Sequence, residues 1–236
     1  MSNQNPKLEG SNLIDCIPVG GPCPNNCRPC YYNEGFYRDI NEPLLPTLED
    51  VGSKLVRVNS GGDSSVDFER VIKLTKQYPK RFYNTSLPHH IQDFPAPVVF
   101  TCNPKNTGWF YAITNVSNLM YVRVRVCMNN YNTRELAVRY YTGLRVPVVL
   151  TFLKFPLHYA VEFNEVYDMY YNDCYETKIS ITNTYKQLKP EYRDKILNEF
   201  RYNPLVLQCG SSESPYCKDC NNCTNLYDKF VAKGAL

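Results

Sequence analysis

Short runs of β-branched and aromatic residues recur along the chain up to residue 152, and their spacing limits the folds that the chain can adopt. Five such runs begin at residues 55, 81, 97, 121 and 147, so successive starts lie 26, 16, 24 and 26 residues apart. These intervals suit parallel strands joined by crossovers. One crossover is predicted to be an amphipathic helix after residue 65, with Ser64 and Asp67 placed like a capping box. With a first strand within residues 12–19, the sequence predicts an α/β fold, a partial (β/α)6 TIM-like barrel with outer helices.

Length and composition allow a buried core and bound the domain organisation. The chain has 236 residues, of which 43% are hydrophobic and 21% are charged. We expect a barrel core over residues 1–160, on which a helical segment and a cysteine-rich extension, residues 161–236, are packed. The net charge of +3 disfavours nonspecific electrostatic binding to nucleic acid or membranes. Because the sequence shows neither a membrane-spanning stretch nor an amino-terminal secretory signal, it predicts a cytoplasmic protein.

The chain contains eleven cysteines, an odd number that a reducing cytoplasm would not join into structural disulfides. Metal ligation is therefore the leading interpretation for those that cluster in the sequence. The amino-terminal group is Cys23, Cys27 and Cys30. The carboxyl-terminal group is Cys209, Cys217, Cys220 and Cys223. The scattered cysteines are interpreted as small buried hydrophobic residues: Cys16, Cys102, Cys127 and Cys174.

The amino-terminal group has the spacing C-x3-C-x2-C, in the segment Cys23-Pro24-Asn25-Asn26-Cys27-Arg28-Pro29-Cys30 after the first predicted strand. Iron–sulfur clusters usually take four cysteines, so a local set of three implies a distant fourth cysteine or an iron open to a ligand. The second predicted strand runs into Ser60-Gly61-Gly62-Asp63. A zinc loop is the alternative, and it needs a fourth local ligand that neither His89 nor His90 obviously supplies.

Over residues 12–155 these motifs resemble those of the radical S-adenosylmethionine superfamily, which has C-x3-C-x2-C after strand one and commonly a Gly-Gly-Glu-like motif after strand two. The resemblance implies that the amino-terminal cysteines hold a catalytic [4Fe-4S] cluster, whose fourth iron binds S-adenosylmethionine. An electron donor such as flavodoxin or ferredoxin would then drive cleavage to a 5′-deoxyadenosyl radical, which abstracts hydrogen from an unidentified substrate. It also implies cofactor contacts by Gly61, Gly62 and Asp63, where Asp63 replaces the commoner Glu. Pro29 stands where the family usually has an aromatic residue, with Tyr31 and Tyr32 immediately after Cys30 instead, and Tyr32 is counted among the cofactor contacts.

Further cofactor contacts are predicted on the strands. Arg123 and Arg125 alternate with valines, so they point into the barrel if the valines meet the outer helices. A charge buried there needs a partner, which would be the cofactor carboxylate, an acidic substrate group or a structural acidic residue. Asn84 and Asn103 stand at strand ends, where they could bind the cofactor ribose or the substrate, or simply form turns.

The carboxyl-terminal group repeats the first three positions of a ferredoxin-type run, Cys217-x2-Cys220-x2-Cys223, with Cys209 eight residues earlier. This spacing favours a second iron–sulfur cluster over zinc, because four-cysteine zinc sites usually have two separated C-x2-C arms. Two other function classes remain open. One is a non-catalytic zinc-binding structural or interaction protein, and the other is a nucleic-acid binder, which the near-neutral charge disfavours. Within the first hypothesis, Cys30-Tyr31-Tyr32-Asn33 loosely resembles glycyl-radical activating enzymes, and a nucleic-acid repair enzyme similar to spore photoproduct lyase is another possibility.

Overall fold

The computed structural model describes residues 4–21, 23–25, 42–103, 112–128, 131–156, 173–179, 184–210, 214 and 216–234. In this part of the chain the fold is α/β, with a seven-stranded parallel sheet and a separate three-stranded antiparallel sheet. No helix among the described residues is both long enough and apolar enough to cross a bilayer.

The seven parallel strands pair in chain order, so that each new strand is added beside the previous one. They are β1 (Leu13–Cys16), β2 (Leu55–Val58), β3 (Arg81–Thr85), β4 (Val98–Cys102), β5 (Leu119–Val126), β6 (Val148–Phe152) and β10 (Val206–Gln208). Strands added in one direction curl the sheet into a half-barrel. The predicted α/β class is confirmed, and the curled parallel sheet is compatible with a partial TIM-like barrel.

The described residues contain six α-helices. They are α1 (Leu48–Val51), α2 (Phe68–Thr75), α3 (Tyr131–Gly143), α4 (Pro190–Glu199), α5 (Cys217–Cys220) and α6 (Asn222–Ala232). The predicted capping box at Ser64 and Asp67 is wrong, because α2 begins at Phe68 and its N-cap, Asp67, makes no side-chain capping bond. A capping box occurs instead at α1, where Thr47 and Asp50 exchange hydrogen bonds.

The two faces of the main sheet form separate apolar clusters. The outer cluster includes Val56, Val58, Phe100, Val122, Val124, Val126 and Tyr141 of α3. On the inner face, Leu55, Phe82, Val99 and Tyr121 pack with Leu226, Tyr227 and Phe230 of α6. Both faces are therefore apolar near the amino ends of the strands, which explains why most strands read as continuous apolar runs. Helix α6 closes the inner face at that end.

The residues after 153 contribute to both sheets. The antiparallel sheet has the order β7 (Lys154–Pro156), β9 (Thr184–Leu188) and β8 (Tyr175–Ile179). These strands were not predicted, and most of the helical region expected after Phe155 falls on residues 157–172, outside the described residues. The second predicted helix is present as α4. Because β10 completes the main sheet and α6 packs inside it, residues beyond 160 form part of the half-barrel, and the domain boundary stays a prediction.

Candidate functional site

The carboxyl ends of β1 and β2 bring the two amino-terminal motifs to one edge of the sheet. Cys16 pairs with Val58 across these strands, and the Asn59 N–H donates to the Cys16 carbonyl at 2.8 Å. The chain leaves the sheet after Ile17 and returns at Leu44, where two backbone hydrogen bonds of 2.8 Å join these residues. Ile17 and Leu44, which flank the stretch that carries the amino-terminal cysteines, are therefore paired next to the residue at which the glycine loop begins.

Only part of the predicted cluster loop can be placed. Cys23 is half-buried, whereas Cys27, Cys30 and Tyr32 lie outside the described residues. Their predicted roles, cluster ligands for the two cysteines and a cofactor contact for Tyr32, stay predictions.

The glycine loop after β2 is tightly folded around Asn59. Gly62 has a φ of +84°, at which a residue with a side chain would be strained, and a Cβ there would be in ordinary contact with Asn59 Oδ1, at 3.6 Å. Asn59 itself adopts a left-handed φ of 52° and is buried, and its Nδ2 donates to Ser64 at 3.2 Å. Its Oδ1 has no hydrogen-bond partner among the described residues. A buried acceptor beside a glycine loop suits a ligand that carries an N–H donor, such as an amino group.

Asp63 is buried in the same loop, and both of its carboxylate oxygens accept hydrogen bonds. Oδ1 accepts from the Thr85 hydroxyl at 2.7 Å and from the Ser65 N–H at 3.0 Å, and Oδ2 accepts from the Ser86 N–H at 2.6 Å and its hydroxyl at 2.8 Å. Burial raises the pKa of the Asp63 carboxyl, and these hydrogen bonds act against that rise. The carboxylate thus joins the loops after β2 and β3, and its predicted cofactor contact stays a prediction.

Replacement of Asp63 by Asn is expected to lower the free energy of unfolding by about 1–3 kcal/mol. Each carboxylate oxygen accepts a hydrogen bond from a backbone N–H, that of Ser65 or of Ser86. In the Asn variant an NH2 group replaces one of these oxygens, so this donor would point at a backbone N–H, which is also a donor. Urea unfolding monitored by circular dichroism measures the change. The matched control is Asp67→Asn, since Asp67 makes no capping bond; an equal loss in both variants would contradict the hydrogen-bond argument.

The predicted inward direction of the two β5 arginines is confirmed, because the intervening valines belong to the outer cluster. Arg123 donates to Asn84 Oδ1 at 3.3 Å and to the Tyr121 hydroxyl at 3.1 Å. Arg125 donates to Asn103 Oδ1 at 2.8 Å. The structure thus brings the predicted contacts together as two arginine–amide pairs above the apolar inner cluster.

The carboxyl-terminal cysteines approach the same inner face from different elements. Cys209 follows β10, and its N–H donates to the Leu150 carbonyl at 2.8 Å. Cys217 and Cys220 begin and end α5, and the Asn222 side chain donates to the Gln208 carbonyl at 2.7 Å, which joins the α5–α6 turn to the end of β10. The Cys223 Sγ lies 3.2 Å from Tyr121 Oη. The fold therefore gathers residues that the sequence separates around one end of β10.

The ionisation of these thiols differs between neighbours. Hydrogen bonding from the Cys209 thiol lowers the pKa of Cys220 to about 5, and bonds to the backbone at Gly210 and Asn222 assist it. The same contact raises the pKa of Cys209. Burial raises the pKa of Cys217. A group of soft sulfur donors suits iron–sulfur or zinc chemistry, although in the described ranges no three Cys, His, Asp or Glu side chains form a group that could hold a metal.

Alkylation of Cys220 by iodoacetamide in metal-free protein is expected to be half-maximal at about pH 5, since the thiolate is the reactive form. Peptide mass spectrometry after short exposures between pH 4 and pH 9 measures this. The control variant Cys209→Ala removes the hydrogen-bond donor and should move the midpoint upward. A midpoint near pH 9 in the unmodified sequence would contradict the assigned ionisation.

The remaining residues that the sequence singled out are the scattered cysteines and two histidines. The four scattered cysteines are buried, as expected. His89 and His90 are exposed loop residues, and the His90 ring stacks on Phe68 with centroids 4.5 Å apart.

The sequence analysis missed an ion pair on the inner face. Arg57 Nε lies 2.7 Å from Asp15 Oδ1, and Ser60 also donates to that oxygen, at 2.9 Å. The isolated charges within the apolar runs of β1 and β2 were the available signal.

The fold and the site define a class of protein. It is a parallel half-barrel in which a cysteine loop and a glycine loop follow adjacent strands. Comparisons of the chain with family models, with curated proteins and with solved structures gave no match.

Proposed function

We propose that this protein is a radical S-adenosylmethionine enzyme. The observation that carries the proposal is the common origin of the cysteine loop and the glycine loop at the carboxyl ends of adjacent parallel strands. Sites in parallel α/β folds lie at this edge of the sheet. When bound, a [4Fe-4S] cluster and S-adenosylmethionine supply reductive cleavage of the sulfonium and a 5′-deoxyadenosyl radical that abstracts hydrogen from the substrate.

The residues at the carboxyl ends of β1 and β2 suit a [4Fe-4S] cluster with bound S-adenosylmethionine. Cys23, Cys27 and Cys30 would hold the cluster, and three thiolates leave one iron for the cofactor. The glycine loop allows a close backbone approach, and the unpartnered Asn59 Oδ1 would accept from the methionyl amine. A reductant such as flavodoxin or ferredoxin would supply the electron to the cluster.

The inner face supports binding and orientation of ligands beside this edge. Arg125 would pair with the cofactor carboxylate, and Asn103 fixes the direction of its guanidinium. Arg123, held by Asn84 and Tyr121, would orient the substrate. The pairing of guanidinium groups with carboxylates is strong and directional.

The carboxyl-terminal cysteines are proposed to hold a second metal site, an iron–sulfur cluster or zinc. Cys209, Cys217, Cys220 and Cys223 would supply its sulfur donors, and binding would require them to draw together, because no three of them form a metal-holding group among the described residues. The 3.2 Å contact of Cys223 with Tyr121 supports a position against the barrel interior.

Anaerobic purification, reconstitution with iron and sulfide, and assay for 5′-deoxyadenosine after dithionite reduction test the proposal. We expect brown protein with about four irons at the first site and reductive cleavage of S-adenosylmethionine. Colourless protein that carries zinc and gives no cleavage would overturn it and favour the structural zinc-binding alternative, which the four soft donors of the carboxyl-terminal group also suit.

A further inference from the structure

The inner face of the half-barrel has a polar layer near the carboxyl ends of β5 and β6. On β6, Val149 belongs to the inner apolar cluster, so Thr151, two residues further along the strand, lies on the same face. Thr151 is paired in register with Arg125 of β5, whose side chain is also on the inner face. This layer therefore places a hydroxyl group beside a guanidinium group.

The Thr151 hydroxyl is a polar group that the fold leaves unsatisfied. Its Oγ1 is buried and has no hydrogen-bond partner in the part of the chain that the structure describes. A buried hydroxyl without a partner costs stability, and most such groups in native proteins have one. The neighbouring guanidinium can only donate hydrogen bonds, so a ligand group that contacts both side chains must accept from both.

Arg125 is held in place by a neutral partner. The side chain is buried, and its Nη1 donates to Asn103 Oδ1 at 2.8 Å. This contact orients the guanidinium without adding a negative charge. The five N–H donors of a guanidinium form a fixed fork that matches the two oxygens of a carboxylate. One guanidinium and one hydroxyl therefore suit a single carboxylate, in charge and in number of donors.

The order of the strands separates Thr151 from the proposed site of the cofactor amine. Asn59, which would accept from the methionyl amine, follows β2, and Thr151 lies on β6, four strands away. Neighbouring strands are about 4.8 Å apart, whereas the methionyl amine and carboxylate share one carbon atom. The short Thr151 side chain therefore does not reach a carboxylate beside Asn59. The longer Arg125 side chain, on the nearer strand β5, can contact the cofactor carboxylate and a second carboxylate.

We propose that Thr151 and Arg125 bind a carboxylate group of the substrate, distinct from the carboxylate of the cofactor. The inference deepens the proposed function, on which the assignment of this carboxylate to a substrate rests. The Thr151 hydroxyl and the Arg125 guanidinium both donate to the carboxylate, and Asn103 fixes the direction of the guanidinium. The substrate class is thus a carboxylic acid.

Titration of the metal-free full chain with acetate at constant ionic strength, followed by nuclear magnetic resonance, tests this site. We expect saturable binding. The variant Thr151→Val should bind about tenfold more weakly, because it loses a hydrogen bond to a charged group. Inorganic phosphate should bind more weakly than acetate. Absence of saturable acetate binding, equal affinity in Thr151→Val, or tighter binding of phosphate would overturn the proposal.

Stability distinguishes a ligand contact from a structural role of Thr151. Thr151→Val replaces an unsatisfied hydroxyl group by a methyl group, so its urea midpoint should equal or exceed that of the parent chain. The matched control is Thr142→Val on α3, where the hydroxyl donates to the Val138 carbonyl at 2.8 Å. This control should unfold at a lower urea concentration and bind acetate like the parent chain. A lower midpoint in Thr151→Val would show that the hydroxyl supports the fold, and would overturn the proposal.

Two further measurements assign the carboxylate to its source. In reconstituted protein saturated with S-adenosylmethionine, acetate should bind as it does to the metal-free chain. Displacement of acetate by S-adenosylmethionine would assign the site to the cofactor carboxylate and overturn the inference. The 5′-deoxyadenosine assay is independent of this titration. Acetate binding that depends on Thr151, without cleavage, supports the carboxylate site and overturns the proposed function, whereas cleavage without acetate binding overturns this inference alone.

Discussion

The variant Cys27→Ser is expected to lose the first iron site and all cleavage of S-adenosylmethionine above background. Three thiolates on one loop leave no spare ligand, and the serine hydroxyl is a poor replacement because it stays protonated at neutral pH. Iron and sulfide content per chain and 5′-deoxyadenosine formation, both after anaerobic reconstitution, measure the loss. Cys23→Ser should behave in the same way.

Controls for this result come from the other cysteine classes. Cys102→Ala removes a thiol buried in β4, in the outer cluster, and should keep both iron and cleavage. Cys220→Ala should lose metal only at the carboxyl-terminal site. Full cleavage activity in Cys27→Ser would contradict the site assignment, and loss of cleavage in Cys102→Ala would show that the assay reports folding rather than the site.

The parallel sheet was largely predictable from the sequence because its strands are covered on both faces. Such strands read as apolar runs, and the predicted starts at 55 and 81 coincide with β2 and β3. The three-residue strand β10 is too short to give a pattern. Strand β8 (Tyr175–Ile179) is largely polar and exposed, so it lacks the apolar periodicity that identifies a strand.

The candidate site was predictable in its residue types and less so in its contacts. Spacing identified the cysteine groups, but the contact of Cys223 with Tyr121 joins residues 102 positions apart. The hydrogen bonds of the Asp63 carboxylate to Thr85 and Ser86 were likewise not predicted. Such contacts depend on which loops the sheet brings together, and a single sequence does not contain that information.

Replacement of Asp15 by Ala is expected to lower the free energy of unfolding by about 3–5 kcal/mol. Asp15 is fully buried, and its carboxylate accepts from Arg57 at 2.7 Å and from Ser60 at 2.9 Å. Without the carboxylate, the mostly buried Arg57 guanidinium loses its counter-charge, and the cost of an uncompensated charge exceeds the value of the pair itself. Urea unfolding with linear extrapolation measures the change.

A double-mutant cycle distinguishes this cost from a simple loss of packing. Arg57→Met alone removes the Arg57 counter-charge from the buried Asp15 carboxylate and should also be strongly destabilising. The double variant with Asp15→Ala removes both charges, so its loss should be smaller than the sum of the two single losses by more than about 1 kcal/mol. Additive losses would contradict a coupled pair.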